Sequence, residues 1–283
     1  MIVDEQLRRR SVGSPAARSL LLTVLGEYVL PRSGEVWQET LVAALASLGY
    51  TEQAARQALS RSTRDGWLRA ERRGRRARMS LTDASRRLLA SGAGRIYSFA
   101  QPWEWDGRWL IVMLRVPEQR RSVRHQLRSR LAWAGLGSLG SGVWLTPHVE
   151  REAELSAAIA EEPDAEARSF VARLGDMGDP QALVAESWDL DSVRDQYLVF
   201  LEDFARLRPA SPVACFRQQT LLVHAWRRFP FLDPDLPEAL LPSDWPRGRA
   251  HALFVDRHAR WAPGALAHFE QLESNFNLDM RAA

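Results

Sequence analysis

Nine arginines fall between Arg56 and Arg78, opposed only by Asp65 and Glu71, so 23 residues carry a charge of +7. So basic a run belongs on a surface, and its flanks say which surface. Upstream, Pro15 opens an apolar helical stretch through Leu20-Leu21-Leu22 to about Leu30, because proline's missing N–H suits a first helical turn. Pro31-Arg32-Ser33-Gly34 is a turn. Residues 35–48 put Val36, Trp37, Leu41, Leu45 and Leu48 at helical spacing, and Gly49 stops them. Thr51 caps a third helix over 51–65. On it Ala55, Leu59 and Ser62 form one stripe, and Gln53, Arg56, Gln57, Ser60, Arg61 and Arg64 form the other face. After Gly66, strand-like runs at 67–71 and 77–81 flank Arg72-Arg73-Gly74-Arg75-Arg76, a basic hairpin tip. Thr82 then caps a closing helix over 83–90, ended by Ser91-Gly92-Ala93-Gly94.

Helices, a basic hairpin and a closing helix follow one another in the order of a winged helix-turn-helix. In that fold the third helix enters the major groove. Arginine there matches guanine O6/N7, and glutamine matches adenine N6/N7. Gln53, Arg56, Gln57, Ser60, Arg61 and Arg64 are the expected groove residues. Arg72, Arg73, Arg75, Arg76 and Arg78 are expected on phosphates or in the minor groove. Charge is divided unevenly along the chain. Residues 1–96 hold 17 arginines and 9 acidic residues, and residues 97–283 hold 21 and 26. A basic head on an acidic body points to a polyanion-binding part and a part that does something else. All 38 basic residues are arginine, so every cationic contact is a planar fork able to pair bidentately.

Beyond the head, residues 95–106 bring Tyr97, Phe99, Trp103 and Trp105 together as a linker that packs. Strands at 109–116, 142–146 and 169–174 alternate with helices at 122–134, 150–160 and 180–187, an α+β pattern of the ferredoxin-like kind. Ser138-Leu139-Gly140-Ser141-Gly142 lacks phosphate-loop spacing and reads as a hairpin. Asp189 caps a long helix over 190–207, and a second follows at 215–228. Residues 229–248 are proline-rich with interleaved aromatics, an ordered and packed loop. Two more helices are expected at 249–262 and 264–272. The division is a tail at 1–14, a head at 15–96, a linker at 97–106, a ferredoxin-like dimerisation or scaffold domain at 107–187, and a helical regulatory domain at 188–283.

Residues 15–97 resemble the N-terminal module of PaaX-type transcriptional repressors, regulators of phenylacetate degradation. The likeness rests on Pro31-Arg32-Ser33-Gly34, Arg56-Gln57-Ala58-Leu59-Ser60-Arg61, Gly66-Trp67-Leu68 and Ser80-Leu81-Thr82. Ala225-Trp226-Arg227-Arg228-Phe229, Asp233-Pro234-Asp235-Leu236-Pro237 and Leu241-Pro242-Ser243-Asp244-Trp245-Pro246 resemble that family's C-terminal domain. The resemblance implies a dimeric regulator on a palindromic operator in double-stranded DNA, released by an acyl-CoA such as phenylacetyl-CoA. The middle domain is similar to the small ferredoxin-like fold of CRISPR adaptation endonucleases. Those carry a metal-binding Asp at the end of the first strand, where this chain has Arg115 in Val112-Met113-Leu114-Arg115-Val116-Pro117. An arginine does not hold a divalent cation, so the domain is expected to lack nuclease activity.

No other chemistry has the spacing it needs. The six histidines make no H-E-x-x-H run, and no phosphate-loop or G-x-S-x-G motif is present. Cys215 and His224 lie nine residues apart on one helix, about 13 Å by rise, too far to be a nucleophile and its base. One cysteine makes no disulfide. The expectation is therefore a non-enzyme without metal or cofactor. No apolar run approaches the ~20 residues that span a bilayer, and no secretory leader opens the chain, so a cytoplasmic protein with no membrane partner is expected. An acyl-CoA needs arginine forks for its phosphates and an apolar wall for its acyl group. Arg108, Arg115, Arg227 and Arg228 are candidates for the first, and Trp103, Trp105, Trp226 and Trp245 for the second. The competing readings are a ligand-independent activator or architectural DNA-binding protein and, further off, a metal-dependent nuclease.

Overall fold

The structure, a computed structural model, describes residues 15–32 and 34–278; the tail expected at 1–14 lies outside them. The chain is mixed α/β, with helices and two antiparallel sheets. It forms two compact units. The first gathers the described residues up to 98, residues 200–228 and the described residues from 249 on, and the second residues 99–199 and 229–248. The stretch 188–283, expected as one helical domain, thus contributes to both.

Unit one is built around α1, Ala17–Val24, which continues as a π-helical turn over Leu25–Val29. Leu20, Leu21, Leu22, Val24 and Leu25 are all buried, as an element apolar all round must be. Residues 35–37 are not the start of a helix. Glu35–Trp37 is a strand, β1, and only Gln38–Ser47 is helical, as α2. Val36 and Trp37 favour the pleated surface, and β1 pairs antiparallel with the strand at Arg76–Leu81 through Val36–Met79 and Trp37–Arg78. Then come α3, Glu52–Arg64, and the hairpin strands β2, Leu68–Arg73, and β3, Arg76–Leu81, in the sheet order β1-β3-β2.

The closing helix α4 runs from Asp83 to Ser98, straight through the glycines expected to end it. Each glycine costs about 1 kcal/mol against alanine. The far end is held all the same: Tyr97 hydrogen-bonds Glu27, and the Ile96 carbonyl accepts the Trp226 indole N–H at 3.2 Å.

The remainder of unit one comes from the C-terminal third. Helix α9, Pro212–Trp226, and the long α11, Arg247–Leu278, send Phe216, Ala265 and Phe269 into the same core as Leu21, Leu45, Leu59 and Met79. Tyr28 joins them, 5.2 Å from the Phe269 ring and 5.0 Å from Phe216. The two helices expected at 249–262 and 264–272 are one, with Pro263 inside. Proline removes a hydrogen bond there. Beside it a Cβ on Gly264 would stand 3.0 Å from the Cys215 sulfur, so a larger residue there would press on α9.

Unit two has the order β4 (Arg108–Arg115), α5 (Arg121–Trp133), β5 (Gly137–Gly140), β6 (Val143–Thr146), α6 (Glu152–Ala160), β7 (Glu166–Arg173), α7 (Pro180–Ser187). Its antiparallel sheet is ordered β5-β6-β4-β7. Ser141-Gly142 turn between β5 and β6. A Cβ on Gly142 would stand 2.3 Å from the Leu114 carbonyl oxygen, so only glycine lets that turn reach β4. On one face Leu110, Val112 and Trp144 pack with Leu127 and Leu131 of α5 and Leu155 and Ile159 of α6. On the other, Trp109 and Leu145 meet Val184 of α7 and Leu236 and Leu240 of the proline-rich loop.

That loop, with α10 (Phe229–Leu232), is ordered by a buried polar network. Asp233 accepts from the Tyr197 hydroxyl at 2.6 Å. The Arg247 guanidinium lies 3.6 Å from Asp233 and 3.2 Å from Asp235, and donates to the Leu236 carbonyl at 2.7 Å. Tyr197 sits at the middle of α8, Leu190–Ala205, which Asp189 caps through the Ser192 N–H. Burial, with Asp233 beside it, raises the Tyr197 hydroxyl far above its ordinary range.

Candidate nucleic-acid interface

Helix α3 is short, so one turn and one cap decide where it lies. The Thr51 hydroxyl accepts the Ala54 N–H at 3.2 Å, satisfying one of the four orphan donors at the helix start. At the other end Gly66 takes φ +74°, and the Trp67 N–H returns to the Ser62 carbonyl at 2.8 Å, turning the chain directly into β2. Ala55, Ala58, Leu59 and Ser62 are buried. Gln53, Arg56, Gln57, Ser60, Arg61 and Arg64 are all exposed. Glu52 is the only carboxylate on the helix. It holds Arg56 at 2.7 Å, an exposed i,i+4 pair of the kind worth about 0.3–0.5 kcal/mol. A competing anion would therefore displace it at small cost.

The hairpin turns on Gly74-Arg75, with Arg73 paired to Arg76. Gly74 has φ +64° and Arg75 has no positive φ, the pattern of a type II′ turn whose first position wants glycine. Arg72, Arg73 and Arg75 stand in solvent, with Arg73 loosely paired to Glu71 at 3.1 Å. Arg76 and Arg78 are half-buried and engaged with the protein. Arg76 donates to the Phe276 carbonyl at 2.6 Å and lies over that ring; Arg78 lies 5.0 Å over the Trp37 ring and 3.6 Å from Glu35. The sequence reading missed Arg69. Strand alternation puts it on the same face as Arg73, and it is exposed. Counting back in twos from Arg73 was the available signal. Helix and hairpin share one core, Ala55, Ala58 and Leu59 meeting Leu68, Met79 and Leu81.

The expected effector residues are not gathered in this way. In unit one, Trp226 is fully buried, stacked 4.8 Å from Phe254. Arg227 is buried with it and donates to the Ser19 carbonyl and hydroxyl at 3.2 and 2.9 Å and to His224 Nδ1 at 3.2 Å. Burial, with Arg228 alongside, brings the Arg227 guanidinium down to about 10 and the His224 imidazole to about 3, so His224 is neutral and accepts from Arg227. Arg228 is half-buried, and burial lowers it too.

In unit two, Trp103 lies against His148 at 4.8 Å, Trp245 is edge-on to Tyr197, and the Trp105 indole donates to the Arg108 carbonyl at 2.7 Å. Arg108 pairs with Asp106. Arg115 is exposed at the far end of β4, across from Glu166 and about 24 Å from Arg108 at strand rise, so these two do not grip one phosphate. Among the described residues no group of three or more His, Cys, Asp or Glu is placed to hold a metal ion, and no helix is long and apolar enough to cross a membrane.

Three family models match successive stretches: PaaX-like protein over residues 16–85, the PaaX protein central Cas2-like domain over 102–184, and the PaaX-like protein C-terminal domain over 188–271. Transcriptional repressor PaaX of Escherichia coli (strain K12) is 33% identical over 261 residues, 88% of this chain and 81% of that protein. A solved structure, the uncharacterized protein Rv0674 from Mycobacterium tuberculosis, superposes with a TM-score of 0.63 at 24% identity, over 90% of this chain and 99% of that one, a likeness of fold.

Proposed function

Because this chain belongs to the PaaX family of transcriptional repressors, we propose that it represses transcription by reading a palindromic operator with a winged helix-turn-helix head. Helix α3 enters the major groove, and Arg72, Arg73 and Arg75, with Arg69 behind them, meet the backbone or minor groove on its flank. Arg76 and Arg78 serve the hairpin's own placement first. The observation that carries this reading is the division of α3: six polar or cationic groups in solvent on one face, and a buried stripe on the other. The βαββαβ order and the β5-β6-β4-β7 sheet support a ferredoxin-like middle domain. That domain pairs two copies. In its favour, β7 is an edge strand, and Phe170 and Val171 on it and Met113 beside it are exposed. Two heads then read half-sites ~34–36 Å apart or a multiple of it.

The effector we infer is an acyl-CoA, an arylacetyl thioester such as phenylacetyl-CoA, bound in the body of the protein. It releases DNA only if it binds the DNA-free arrangement better; a five- to 150-fold preference is about 1–3 kcal/mol. Selection of bound duplexes from a random pool, with and without thioesters, tests the whole reading. The expected result is an inverted repeat whose recovery falls when the thioester is present. Recovery of unrelated sequences would replace the repressor with an architectural protein. An inverted repeat indifferent to every thioester would remove the effector alone.

A further inference from the structure

Unit two carries 12 arginines and 20 acidic residues, yet residues 115–130 within it hold 6 arginines and only Glu118. With that stretch set aside, 6 arginines face 19 acidic residues. The basic island is centred on α5. This helix has no Asp or Glu, and Arg121, Arg124, Arg128 and Arg130 are on it. Arg124 and Arg130 are half-buried and bonded to the protein, to the Val116 carbonyl at 3.1 Å and to Glu161 at 3.2 Å.

Arg121, His125 and Arg128 are different. Spacings of four and three put them on one stripe, opposite the buried Leu127 and Leu131 side. All three are exposed, and among the described residues none of their side chains has a hydrogen bond or ion pair. The arrangement works against the helix. Arg121 stands in the first turn, where the macrodipole disfavours a cation, and Arg124 and Arg128 are like charges at i,i+4. Carboxylates flank the stripe, Asp164 meeting Arg120 just before the helix and Glu161 and Glu162 meeting Arg130 near its end, yet among the described residues none pairs with Arg121 or Arg128.

We propose that the outer face of α5 is a second contact for the DNA backbone, made by Arg121 and Arg128 with His125 between them, apart from the head. This rests on the reading of the chain as a DNA-binding repressor. Arg121 and Arg128 are about 10 Å apart along the helix, the axial rise of about three base pairs, so both can meet phosphates of one strand. Backbone contacts carry no sequence information. The stripe adds affinity and leaves the operator unchanged.

The test compares wild type with the double variant Arg121→Ala/Arg128→Ala. Affinity is measured against salt on the selected operator extended on both flanks by about two helical turns, ~20 base pairs. Two lost phosphate contacts lower the slope of log K against log salt by about 1.8, with the preferred sequence and the urea midpoint unchanged. Equal slopes for the two proteins overturn the proposal while leaving the repressor reading intact, and would hand the stripe to an acidic protein partner. A wild type that binds no duplex overturns both.

Discussion

The arginines of α3 and those capping α9 and on α11 are the same residue type in opposite circumstances. On α3, Arg61 and Arg64 stand in water, and Asp65, 3.6 Å from Arg64, is held closer by Arg18 at 2.7 Å. By contrast, Arg247 is buried between Asp233 and Asp235, Arg227 on Ser19 and His224, and Arg257 on the carbonyls of Phe204 and Ala205. Buried guanidinium groups are tolerated because each finds fixed acceptors, and there they join segments distant in sequence. Exposed ones contribute little to stability and are free for a partner. Charge counted along a sequence does not separate the two populations; burial does.

Breaking the buried set gives the largest effect. Asp233→Ala leaves Arg247 facing Asp235 alone and Tyr197 without its acceptor, and is expected to cost about 3–5 kcal/mol in urea unfolding of the full chain. A smaller loss would mean that Asp235 suffices. Next is pH. The folded His224 is held at about 3, below the ~6.5 of an unfolded histidine, so the unfolded chain binds the extra proton between those values. Its contribution is complete above about pH 6.5 and is lost as pH falls towards 3. His224→Gln flattens that part of the stability curve, by a few kcal/mol across the window.

On the exposed side, Arg61→Ala or Arg56→Ala is expected to cost about 1–3 kcal/mol in DNA affinity and relax preference at one base pair, with unfolding unchanged. A uniform loss across sequences would move α3 out of the groove. Smallest of all, Arg73→Ala and Arg75→Ala each lower the salt slope by about 0.9 without altering the preferred sequence. If either instead reduces stability, the contrast between the two populations fails at the hairpin.

Local signals carried the reading where the physics is local. The Thr51 cap, the stripe of Ala55, Leu59 and Ser62, and the Gly74 turn are each decided within a few residues, and each is found. Where tertiary partners decide, the pattern misled. Val36 and Trp37 fit helical spacing, but β3 offers them a strand to pair with. Gly92, Gly94 and Pro263 look like stops, and α4 and α11 run through them because packing further along holds the helices. Arg227 and Trp226 had the composition of a ligand pocket. Only the fold reveals that Ser19, His224, Ile96 and Phe254 occupy them. Arg69 was legible from alternation and overlooked.

The core beneath α3 is finished by Phe216, Ala265 and Phe269, contributed from more than a hundred residues downstream. The head proposed to read DNA is therefore not a detachable cassette. A fragment stopping at Ser98 would expose the faces of Leu21, Tyr28 and Leu45 that those side chains seal, and should be recovered as an aggregate. Swapping operator preference between relatives by exchanging only the first hundred residues would fail for the same reason; the graft has to bring α9 and the distal half of α11 along with it.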